Sequence, residues 1–84
     1  MKHFTYQTKG VCSRSIDITI DNGIIVEVLY HGGCSGNTQG VAALVRGMSV
    51  EEAIGRLEGI RCGFKSTSCP DQLATALREY LANN

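Results

Sequence analysis

Ile16, Ile18 and Ile20 alternate with Ser15, Asp17 and Thr19, and beyond Asp21-Asn22-Gly23 a second alternating set follows in Ile24, Val26 and Val28. Alternation with period two puts one apolar face on each strand, so residues 15–30 must pair as a hairpin with a single buried side. A two-residue Asn22-Gly23 turn would oppose Ile18 to Glu27 and Thr19 to Val26, mixing the faces. A three-residue loop with Gly23 in the left-handed region instead opposes Ile20 to Ile24, Ile18 to Val26 and Ile16 to Val28, and the sequence predicts that register. Phe4 and Tyr6, flanked by Thr5 and Thr8, add a preceding strand that Lys9-Gly10 ends.

After His31-Gly32-Gly33-Cys34-Ser35-Gly36 the period changes to that of a helix. Asn37 is the expected cap of a helix burying Val41, Leu44, Val45 and Met48, with Gly47 as its stop. Ser49-Val50-Glu51-Glu52 has the form of a capping box and opens a second helix with Val50, Ala53, Ile54 and Leu57 inward, weakened by Gly55. A loop, Glu58 to Ser68, then leads to Pro70 in the first turn of a last helix that buries Leu73, Ala76, Leu77, Tyr80 and Leu81. Three strands followed by three helices predict an α+β fold: an antiparallel sheet with the helices packed on one face, residues 1–84 forming one domain.

At 84 residues the core is barely large enough to stand alone. Eight Lys and Arg balance eight Asp and Glu, so no basic stripe argues for general nucleic-acid binding, and near-zero charge favours self-association, with a homodimer as the simplest form. No apolar run is long enough to cross a membrane. The opening Met1-Lys2-His3-Phe4-Thr5-Tyr6 lacks the pattern of a secretory signal, which makes a reducing cytoplasmic compartment the expectation and stable disulfides unexpected.

Cys12, Cys34, Cys62 and Cys69 fall in four different connections, each beside a turn or cap residue. Four sulfurs from separate loops are what a closed zinc site or an iron-sulfur cluster needs, although the paired Cys-x2-4-Cys knuckles of tight zinc modules are absent. Two other readings stand beside metal binding: a redox dithiol of Cys62 and Cys69, and inert apolar cysteines. Cys69 opens the last helix and Cys34 precedes the first, where unpaired N–H groups favour a thiolate. His31 and Arg61 are candidates to support the site from behind the ligands, Arg14 and Lys65 to offset its charge, and Phe64 to shield it. No Ser-His-Asp set, phosphate-binding loop or paired helical carboxylates assign a catalytic residue, and a lone glycine-rich turn at Gly32 to Asn37 is weak grounds for a nucleotide.

Arg61-Cys62-Gly63 and Thr67-Ser68-Cys69-Pro70-Asp71-Gln72-Leu73-Ala74, with Gly33-Cys34-Ser35-Gly36-Asn37 and the Gly47 to Glu52 segment, resemble the TSCPD domain over most of the chain. That resemblance implies kinship with the C-terminal region of adenosylcobalamin-dependent class II ribonucleotide reductases and with short stand-alone versions. It implies a link to deoxyribonucleotide synthesis and a reductase or other redox protein as partner. A ribonucleoside-diphosphate reductase label would be inherited, because 84 residues cannot supply the reductase barrel. A looser similarity runs to the U-type iron-sulfur scaffolds, whose three ligands would fall at Cys12, Cys34 and Cys69. Arg14 stands where those proteins carry Asp, and Ser68 where they carry His. The expectation is a zinc- or iron-binding accessory domain with Cys12, Cys34, Cys62 and Cys69 as ligands.

Overall fold

The computed structural model describes residues 1–11, 13–33, 35–61 and 66–83. Strand β1 (Lys2–Gln7), β2 (Ser13–Asp21) and β3 (Ile24–Gly32) form an antiparallel sheet in the order β1-β2-β3. Helices α1 (Ser35–Val45), α2 (Val50–Leu57) and α3 (Cys69–Ala82) follow, giving the α+β fold that the change of period predicts. Ile16, Ile18, Ile20, Ile25 and Val28 supply the sheet's side of the core, and Val45, Val50, Ala53, Ile54, Leu73, Ala76 and Leu77 the helices' side. Phe4 pairs across to Ile18 and stacks on Tyr80, ring centroids 5.6 Å apart, which seals the core beside β1. Among the described residues, no helix is long and apolar enough to cross a membrane.

The hairpin departs from the expected register. Asn22 (φ 55°) and Gly23 (φ 77°) form a two-residue turn of the type that matches strand twist, opposing Asp21 to Ile24 and Ile20 to Ile25. Mixing of the faces is avoided by a bulge: Val26 is the extra residue between Ile25 and Glu27, so that Thr19 opposes Glu27 and Ile18 opposes Val28. The inward set on β3 is therefore Ile25, Val28 and Tyr30, while Ile24 and Val26 are exposed. A second irregularity leaves Arg14 unopposed between Ser13, which faces Gly32, and Ser15, which faces His31.

The helices also correct details. α1 starts at Ser35, two residues before the expected Asn37 cap, and buries Thr38 and Val45, whereas Leu44 is 73% exposed. Residues 38, 41, 42 and 45 share one helical face and Leu44 lies more than a quarter-turn from it. Leu81, expected inward, is 40% exposed, although its neighbour Tyr80 packs on Phe4 of β1. Gly47, in the left-handed region at φ 89°, ends α1, and the chain then zips onto the start of β3 through Gly47 N–H to Ile25 C=O and Ile25 N–H to Met48 C=O. Ser49 caps α2 by accepting from the Glu52 N–H at 3.1 Å, but the Glu52 carboxylate turns to Arg56, so only half of the capping box forms.

Two glycines differ in what they can tolerate. Gly33 is left-handed (φ 84°), and a Cβ there would sit 3.1 Å from the Ser13 backbone nitrogen and Cβ, whereas one on Gly55 within α2 would meet nothing. Gly33→Ala should therefore cost about 1–3 kcal/mol and Gly55→Ala should gain roughly 0.5–1 kcal/mol. Urea unfolding of the two variants, with opposite shifts in midpoint, checks this.

Candidate functional site

The start of α3 gathers four segments of the chain. Ser68 caps the helix, its hydroxyl accepting from the Asp71 N–H at 3.1 Å and donating to the Ile60 carbonyl at 2.5 Å. Pro70 fills a first-turn position that needs no N–H donor. The Asp71 carboxylate accepts from the Gly59 N–H at 2.7 Å and from the Thr67 hydroxyl at 2.5 Å. Gln72, buried, accepts from the Lys9 N–H at 2.9 Å and donates to Thr67 Oγ1 at 3.1 Å. Thr67, Ser68, Pro70, Asp71 and Gln72 thus each have a structural task, and these tasks fasten Gly59, Ile60 and Lys9 to one helix end.

Cys69 lies at the centre of this arrangement. Its partly exposed thiol Sγ is 3.3 Å from the hydroxyl of buried Ser13, and its carbonyl accepts from the Tyr30 phenol at 2.9 Å. Burial, and secondarily the charge of the Cys69 thiolate, push the Tyr30 phenol well above the usual tyrosine range, so it remains a donor at any physiological pH. Thr8 closes the loop that leads to Ser13, donating from its hydroxyl to the Ser13 carbonyl at 2.5 Å and from its N–H to the Arg14 carbonyl at 3.1 Å.

Of the sequence-predicted ligands, Cys69 is among the described residues, and Cys12, Cys34 and Cys62 lie outside them, as do Phe64 and Lys65. Their described neighbours nevertheless meet. Ser13 follows Cys12 and touches the Cys69 thiol; Gly33 precedes Cys34 and packs against Ser13; Ile60, two residues before Cys62, is bonded to Ser68. Arg61, the expected outer-shell residue, is exposed. Arg14 lies along the Gly32 turn, where a Cβ on Gly32 would be 3.6 Å from its Nε. Among the described residues no group of three or more His, Cys, Asp and Glu gathers to hold a metal ion.

His31 points elsewhere. Its Nε2 is 2.7 Å from Asp17, whose other oxygen accepts from Thr5 at 2.6 Å, on the face of the sheet away from the helices. The Thr5 hydroxyl first, and then His31, hold the Asp17 carboxyl below its ordinary range. That favours the folded state above the ordinary carboxylate range, an advantage lost as pH falls through the depressed value. Ser13, Tyr30 and Gln72 are the site residues that sequence reasoning missed. The short spacing Ser68-x-x-Asp71 before an apolar run is a local signal from which the cap could have been read.

Ser68→Ala removes the cap and the bond to Ile60 together and should cost about 1–3 kcal/mol, seen as a lowered denaturant midpoint. Tyr30→Phe should cost about 1–2 kcal/mol at neutral pH. Because the folded phenol titrates above the unfolded one, wild-type stability is complete below the ordinary tyrosine pKa and falls as pH rises past it. Tyr30→Phe should flatten that alkaline fall, measurable as unfolding midpoints between neutral and strongly alkaline pH.

The model of the TSCPD domain family matches residues 2–81, which include all four cysteines and the Thr67 to Asp71 segment that gives the family its name. No curated protein and no solved structure shows a significant match. With nearly its whole length matched, the chain belongs to the TSCPD domain family.

Proposed function

We propose that this chain is a thiolate metal-binding module, an accessory domain related to ribonucleotide reductase, holding zinc or iron through Cys12, Cys34, Cys62 and Cys69. Family membership is consistent with a domain of that kinship. The observation that carries the reading is the meeting of segments around Cys69: Ser13 against its thiol, Gly33 against Ser13, and Ile60 tied to Ser68. These residues are next to, or two positions from, the other three cysteines, and consecutive Cα atoms are about 3.8 Å apart.

The donor chemistry fits such an ion. Cys69 is outside the packed core and partly exposed, at the positive end of α3, and its thiol lies against the neutral hydroxyl of Ser13. Arg14 lies beside the Gly32 turn, and in this reading its guanidinium would offset the negative charge of the thiolates. A bound metal would supply cross-linking of loops that a core of this size leaves weakly held. The family label of a reductase describes longer proteins, and the role open to a domain of this size is to bind or to present electrons to a reductase partner, in the cytoplasm.

Such a structural metal contributes on the order of 10 kcal/mol of apparent binding free energy at neutral pH. Cys69→Ser should therefore abolish most bound metal and lower the thermal midpoint far more than Ser68→Ala does. Elemental analysis, an absorption spectrum and thermal unfolding with and without a strong chelator check it. Stoichiometric colourless metal whose removal melts the domain supports zinc. A brown labile chromophore moves the site to an iron-sulfur cluster on Cys12, Cys34 and Cys69. Metal-free protein whose midpoint ignores the chelator leaves Cys62 and Cys69 as a redox dithiol.

A further inference from the structure

β3 is an edge strand, and along it runs a groove of about 450 Å3 between Glu27–Tyr30, the Gly32-Gly33 turn and the flank of α1 near Ala42, Ala43 and Arg46. The first residue of that edge is covered, since both main-chain groups of Ile25 bond to Gly47 and Met48. Antiparallel ladders alternate between pairs that exchange hydrogen bonds and pairs that face away. Past the Val26 bulge, Val28 opposite Ile18 and Tyr30 opposite Ile16 therefore belong with Ile25 to the class whose N–H and C=O point outward. Among the described residues, no backbone segment covers those groups. Natural edges are often blunted by charged side chains, Lys above all, or by Pro, and between Glu27 and His31 stand only Val28, Leu29 and Tyr30.

We infer that a second copy of this chain docks on this edge, β3 against β3 in antiparallel fashion about a two-fold axis at Leu29, joining the two sheets into one of six strands. Self-complementarity selects that occupant and that register. Centred on Leu29, Val28 meets Tyr30 of the second copy and the reverse, so the outward main-chain groups satisfy one another. The same register sets the Glu27 carboxylate opposite the His31 imidazole of the second copy, twice, on the helix-free face. Leu29, 54% exposed, meets its own symmetry mate there. Zero net charge leaves no long-range repulsion between copies. On the helix side, Gly36 and Gly40 present no side chain, and the space a Cβ would take at each is open, so a second α1 can approach.

Sedimentation velocity across about 1–500 μM protein should show a species of twice the 9.0 kDa chain that grows with concentration. Leu29→Lys puts two ammonium groups together at the axis and should raise the dimer dissociation constant at least roughly tenfold, with the circular dichroism spectrum of the wild type. A non-hydrogen-bonded antiparallel pair holds its Cα atoms about 4.5 Å apart, within disulfide reach, so Leu29→Cys under mild oxidation should link position 29 to position 29 by peptide mass spectrometry. Glu27→Cys, alone, should not link to itself. A monomer at every concentration overturns the inference, including one that takes an added extended peptide on this edge. So does a dimer that is unmoved by Leu29→Lys and leaves the position 29 thiols unlinked.

Discussion

A single hydroxyl, that of Ser68, holds the start of α3 and the beginning of the preceding loop in one place. It accepts from the Asp71 N–H and donates to the Ile60 carbonyl, so the first turn of the helix and the 58–60 segment cannot move separately. Asp71 repeats the arrangement one step outward, with Gly59 on one oxygen and Thr67 on the other, and Gln72 extends it to Lys9. Buried polar groups must find partners, and here the partners are the main chains of the two loops that flank Cys12 and Cys62. The family signature is thus first a device for tying loops to a helix end. The chemistry of Cys69 depends on that device being in place.

The other half of the site rests on the sheet. The second irregularity of β2, at Arg14, lets Ser13 turn inward to the Cys69 thiol, and Gly33, left-handed and without a side chain, lets the β3 exit pass close to Ser13. Tyr30 completes the join by reaching from β3 to the Cys69 carbonyl. Glycine at position 33 meets a steric demand and a dihedral demand at once.

Element order and type were legible because they follow from local periodicity: alternating isoleucines for β2 and apolar residues three and four apart for the helices. The register of β3 was not, because the Val26 bulge becomes visible only once the Asn22-Gly23 turn and the opposing strand are both fixed. Leu44 and Leu81 were assigned inward on apolar character, yet which side of a helix is covered depends on where the three-stranded sheet ends. For the site, the cysteines were legible as residue types, and Cys69 at a helix start as a position. The groups that surround it were not: Ser13 lies 56 residues from Cys69, Tyr30 39, and Lys9 63 from Gln72. Such pairs carry no short-range pattern.

These contacts support a reading in which the fold brings thiolates together and the metal locks loops that a small core cannot. X-ray absorption at the metal edge of freshly purified wild-type protein tests this most directly. The expected result is one metal per chain with a first shell of sulfur scatterers alone, at about 2.3 Å. A shell dominated by oxygen or nitrogen, or protein that holds no metal after growth and purification in its presence, would contradict it.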